Sequence, residues 1–171
     1  MTQSRSESAA KRTAKVGLFI ALAMIFSYIE AILPFNFGVP GVKLGVANIV
    51  VVVALYRLKL PETAAVSFVR IFLIGLLFGN ILSLVYSFAG GVLSLVGMII
   101  CKRLKLSVVG VSIVGGVLHN VGQLTAAALI LRSTALTYYL PVLLVAGLVT
   151  GFVIGAAAFF VLRALSNYNE Q

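Results

Sequence analysis

Aspartate is missing from this chain of 171 residues, and its only acids are Glu7, Glu30, Glu62 and Glu170. That excludes an aspartate-rich magnesium–diphosphate site and an ATP-hydrolysing motif, and no nucleophile–base pair stands out among the other residues. The chain alone reads as a non-enzyme. Cys101 is the only cysteine, so no internal disulfide can form, and its place just before Lys102-Arg103-Leu104-Lys105 suits an inert thiol at a helix end. His119 is the only histidine. Without a second His or Cys beside it, no metal site is expected. Charge is scarce altogether, at 10% of residues. A soluble domain carries about 25%.

Apolar residues fill the space, at 61% of the chain, and mean hydropathy is +1.16. This is the composition of an integral membrane protein in the lipid bilayer, with room for one membrane domain and none for a soluble catalytic one. A net charge of +9 would suggest nucleic acid in a soluble chain. Here the basic residues flank apolar runs, where they orient helices, and no nucleic-acid partner is expected. Lys11, Arg12 and Lys15 before an apolar run resemble a signal peptide. Ala21-Leu22-Ala23 lies too early to end that run, however, so the first span is read as retained.

The apolar runs predict an all-α compact bundle of six transmembrane helices over 14–33, 42–56, 62–78, 81–100, 108–131 and 138–165. A polar tail, 1–13, precedes this 14–166 domain and a short one, 167–171, follows it. All four prolines fall at span boundaries, where a missing N–H does least harm. Spans 2 and 3 fall short of the roughly 20 residues that cross a bilayer, so neighbours must bury them or they end below its surface. With the N-terminus inside, ten of the 13 basic residues collect on the cytoplasmic side. Arg132 is left outside, Lys43 at the outer edge and Arg70 within span 3. Such a bias puts both termini in the cytoplasm and the 33–41 loop outside.

Polar residues inside the spans recur at helical spacing: Ala23, Ser27 and Glu30; Thr63, Ser67 and Arg70; Ser83, Ser87, Gly90 and Ser94; Gly115, His119, Gly122 and Gln123. Residues three, four and seven apart share a face, and lipid cannot satisfy such a face, so each points inward. For the serines and glycines, helix packing is explanation enough. The charges ask for more. An ionised side chain amid hydrocarbon costs roughly 2.5–3.5 kcal/mol on insertion scales. Glu30 and Arg70 either pair with each other or hold a ligand, with Arg70 and Lys43 meeting its anionic group. His119, Asn120 and Gln123 lie together amid glycines and read as ligand-contacting groups, which Asn48 and Asn80 could join. Phe35, Asn36 and Phe37, in an uncharged loop rich in Pro and Gly, form the expected lid. Gly17 with Ala21, and Gly147, Gly151 and Gly155, are spaced by four and read as seams between helices or with a partner subunit. No cofactor-binding glycine pattern is present.

The segments Tyr28-Ile29-Glu30, Pro40-Gly41-Val42-Lys43-Leu44-Gly45-Val46-Ala47-Asn48, Arg70…Gly75-Leu76-Leu77-Phe78-Gly79 and Gly116-Val117-Leu118-His119-Asn120-Val121-Gly122-Gln123 carry a family likeness. In them the chain resembles the Gx transporter family, also labelled heptaprenyl diphosphate synthase component I, over nearly the whole membrane domain. That family is similar to the S components of energy-coupling-factor transporters. The resemblance implies a six-helix protein of the bacterial plasma membrane that captures a vitamin-like or anionic solute under its first outer loop. It also implies a separate membrane coupling subunit with ATPases. The other label implies a non-catalytic partner of a prenyl diphosphate synthase. A structural subunit of a membrane flavin or electron-transfer complex is a further alternative.

Overall fold

The computed structural model describes residues 2–32 and 45–168, with side chains for 9–32 and 45–167. Six α-helices follow one another: α1 Thr2–Ile32, α2 Asn48–Arg57, α3 Leu60–Phe78, α4 Ile81–Arg103, α5 Val108–Leu131 and α6 Leu140–Tyr168. A 3-10 turn, Thr134–Tyr139, leads into α6, and no strand occurs among the described residues. Five helices are long and apolar enough to cross a membrane. The exception is α2, whose ten residues rise only about 15 Å against a hydrocarbon core of ~30 Å. Six expected spans therefore become six helices, five of spanning length. The polar residues from Thr2 onward, expected as a tail, continue α1. Their Ala, Lys, Arg and Gln favour helix, and no breaker stands before Pro34.

α2 is apolar all round from Ile49 to Leu55, and a helix with no polar face must be covered on every side. It is. Val50 to Leu55 are all buried; Val51, Val52, Val53 and Leu55 pack among Leu95, Met98, Val111, Ile154 and Ala158, and Val50 packs against Ala23 and Val66. Its C-terminal carbonyls are satisfied from outside the helix. Lys102 Nζ donates to Leu55 O at 2.6 Å, Thr63 Oγ1 to Ala54 O at 3.2 Å and Lys15 Nζ to Arg57 O at 3.5 Å. Arg57 in turn donates to Leu162 O, and Arg12 pairs with Glu62, whose other oxygen accepts from Lys59 N. These contacts gather the start of α1, the end of α2, the start of α3 and the ends of α4 and α6 at one basic end of the bundle. The chain therefore runs up and down.

Around α2 the helices meet along glycines. A Cβ added at Gly122 of α5 would lie 2.8 Å from Gly90 Cα in α4. One at Gly116 would lie 2.7 Å from Gly147 O in α6. Gly147, Gly151 and Gly155 all face the α5 backbone, so that expected seam closes within the chain. Gly17 and Ala21 do not: both are exposed, and nothing lies within 4 Å of a Cβ built on Gly17.

Candidate functional site

Because α2 fills only the basic half of the bundle, the opposite half is left with a hollow. It is a cavity of about 500 Å³, within the size range of small-molecule sites. Asn48 and Gly45, at the N-terminal end of α2, form its floor with Ile154 of α6. The walls follow helical spacing. α5 contributes Gly116, His119, Asn120 and Gln123, in the i, i+3, i+4, i+7 pattern of one face. α1 gives Ser27, Glu30 and Ala31, and α3 gives Arg70, Ile71, Ile74, Gly75 and Phe78. Ser83 and Ser87 of α4 and Thr150 of α6 add hydroxyls.

Glu30 and Arg70 share this cavity without bonding to each other. The one ion pair among the described residues is Arg12–Glu62. Glu30 Oε1 instead accepts the Gly45 N–H at 2.5 Å, which Gly45 presents from a left-handed turn at φ +69°. That conformation suits glycine, and a Cβ there would also meet Ile154 at 3.3 Å. Arg70 Nε is buried with no hydrogen-bond partner, and so is Ser27 Oγ. A buried polar atom left unpaired costs about 1–3 kcal/mol, and an unpaired guanidinium in a membrane helix is exceptional. Arg70 and Ser27 also both line the cavity.

The amide groups are partly committed to the fold. Asn120 Nδ2 donates to Leu143 O at 2.8 Å, tying α5 to α6, and Gln123 Nε2 donates to Ser87 Oγ at 3.3 Å, tying α5 to α4. Both residues line the cavity as well. The His119 imidazole lies against the backbone of α4, where a Cβ on Gly90 would come 3.2 Å from Nδ1.

Of the expected residues, Glu30, Asn48, Arg70, His119, Asn120 and Gln123 come together. Asn80 does not join them. Its Oδ1 accepts from Ser83 N at 2.8 Å and caps α4. Asn80→Ala should cost about 1 kcal/mol in thermal unfolding and leave any solute binding unchanged. Weaker binding at unchanged stability would return Asn80 to the site. Lys43 and the lid residues Phe35, Asn36 and Phe37 lie outside the described residues. Sequence reasoning missed Ile71, Ile74, Phe78 and Ile154, because an apolar residue lining a cavity looks like one facing lipid. Thr150 it could have found, as the one threonine within the apolar run of α6. Among the described residues no three His, Cys, Asp or Glu side chains gather.

A family model described as heptaprenyl diphosphate synthase component I matches residues 19–161, from the middle of α1 to the last turns of α6. No curated protein and no solved structure matches the chain.

Proposed function

The chain belongs to the heptaprenyl diphosphate synthase component I family, and from that membership and the cavity we propose that it is a membrane solute-binding subunit of a transporter. It holds a small solute in the half of the bundle that α2 leaves open. The observation that carries this reading is that Glu30 and Arg70, not paired with each other, share one cavity with His119, Asn120 and Gln123. A bundle built only for structure would have paired these charges. In this reading both termini are cytoplasmic in a bacterial plasma membrane, and the basic end faces inward. An acid group on the solute meets Arg70. The chain has no energy-coupling motif of its own, so a membrane coupling subunit with ATPases supplies the drive, docking on the exposed Gly17 and Ala21 of α1.

The gently purified full chain should therefore retain a small molecule detectable by native mass spectrometry. Gln123→Leu removes one amide contact worth about 1–1.5 kcal/mol and should weaken retention about tenfold. A chain that carries nothing, and takes up nothing after exposure to growth medium, would end this reading.

The family description supports a second reading, a non-catalytic membrane component of a prenyl diphosphate synthase. The missing aspartates leave the magnesium–diphosphate chemistry to a partner. Under that reading the chain co-purifies with a soluble prenyl synthase, and its deletion changes quinone content.

A further inference from the structure

Resting on the solute-binding reading, we propose that the cavity takes a zwitterion, a solute with an acid group for Arg70 and an ammonium group for Glu30. Among the described residues these are the two charged side chains lining the hollow, one of each sign. Both line one cavity, yet no N–O distance between them falls within 4.0 Å. Each is only partly used by the protein. Glu30 gives Oε1 to the Gly45 N–H, and no described residue bonds Oε2. Arg70 Nε is buried and unpartnered.

Charge balance then selects the occupant. A bare anion on Arg70 would leave Glu30 as an uncompensated carboxylate in a membrane interior, and a bare cation on Glu30 would strand the guanidinium. A molecule with both charges, spaced to match, satisfies each seat and keeps the cavity neutral. Neutral donors and acceptors complete the surroundings. Ser27, only 7% exposed and with its Oγ unpaired, lies one turn before Glu30, and Asn48 stands on the floor. The floor is also the N-terminal end of α2. Gly45, just before that end, donates its N–H to Glu30 Oε1, which leaves Oε2 as the seat for the ammonium.

The two seats imply a fixed spacing, and a ladder of simple probes measures it. The full chain in phosphatidylcholine nanodiscs would be melted with a maleimide dye reading the half-buried Cys101. The probes are the ω-amino acids from glycine to 6-aminohexanoate, with the alkyl carboxylates and alkylamines of the same lengths. One chain length should raise Tm by roughly 3–5 °C at about ten times its Kd, with its neighbours weaker and the matched carboxylate and amine weaker still. Glu30→Gln keeps an acceptor for the Gly45 N–H and removes only the charge. In that variant the amino acid should lose its advantage over the carboxylate. Arg70→Gln should lose the response to both, and Glu30→Gln alone decides if Arg70→Gln does not fold. A carboxylate that stabilises the wild type as well as its amino counterpart, or a response with no length optimum, overturns the zwitterion and leaves solute binding standing. Silence across all three series also overturns the zwitterion, while the retention measurement decides solute binding separately.

Discussion

Gly151→Ile should yield no monodisperse protein. A Cβ at residue 151 would sit 2.7 Å from Ile113 Cα and 2.9 Å from Ser112 O, both backbone atoms that no rotamer change can move. The same holds at Gly147, 2.9 Å from Val117 Cα, and at Gly155, 2.8 Å from Val109 Cα, so α5 and α6 touch along three turns. Without a hydrophobic driving force between helices in lipid, such close backbone packing carries much of the association. Forcing one methyl into a packed contact costs about 1–3 kcal/mol, which is the expectation for Gly151→Ala. Isoleucine adds three more heavy atoms against the same wall. The seam must then open along its length, in a fold whose whole margin is about 5–15 kcal/mol. Gly17→Ile is the control. It adds the same atoms where nothing lies within 4 Å, and should change stability by no more than about 0.5 kcal/mol. Gel filtration and melting of the three variants check this, and a well-folded Gly151→Ile would show that α5 and α6 do not pack on their glycines.

The contrast between Gly17 and Gly151 also marks what the sequence could tell. Spacing by four says that small residues share a face, and the α6 glycines and the α1 pair read alike. Which way each face turns depends on partners that only the packed bundle supplies. Prolines, basic clusters and capping residues act locally, and the expected limits at 78, 81, 108 and 131 coincide with helix ends, whereas the starts expected at 14 and 42 do not. α2 was legible as short and wholly apolar, and its burial follows from having no face for anything but neighbours. The six cavity residues read in advance are those whose polarity lipid could not satisfy. Asn80 misled for a local reason: after Gly79 it has the chemistry of a ligand contact and of a helix cap, and the cap at Ser83 is what it makes. The apolar walls at Ile71, Ile74, Phe78 and Ile154 carried no signal, since hydrocarbon and a solute's apolar side ask for the same residues.

The alternation of charge and burial along α3 joins the two halves of the bundle. Thr63, fully buried, ties α3 to the last carbonyls of α2, Ser67 continues the line, and Arg70 stands in the cavity at the N-terminal end of α2. Helical spacing puts all three on one face. Thr63 is hydrogen-bonded to backbone carbonyls, Ser67 is buried, and Arg70 bonds no described residue.

Arg70→Met should abolish solute retention while Tm stays level or rises. Were Arg70 half of a structural ion pair, removing it would leave a buried carboxylate alone and cost about 3–5 kcal/mol. At about 2–4 °C per kcal/mol for a chain of this size, Tm would fall by roughly 6–20 °C. Among the described residues Arg70 has no such partner: Glu30 is bonded to the Gly45 N–H, and the buried Nε bonds none of them. Methionine keeps much of the apolar stem and relieves the guanidinium's desolvation. Binding should respond in the opposite sense. Truncating one side of a buried, hydrogen-bonded charge pair costs about 2–5 kcal/mol, so retention of an acid group should drop about 100-fold or more. Arg70→Lys separates charge from shape, because a lysine keeps the positive charge but not the planar fork that grips an acid group on two oxygens, and it should retain solute at an intermediate level. A Met variant that melts far below wild type would make Arg70 a structural residue. One that still binds at full strength would take the acid group away from α3 altogether.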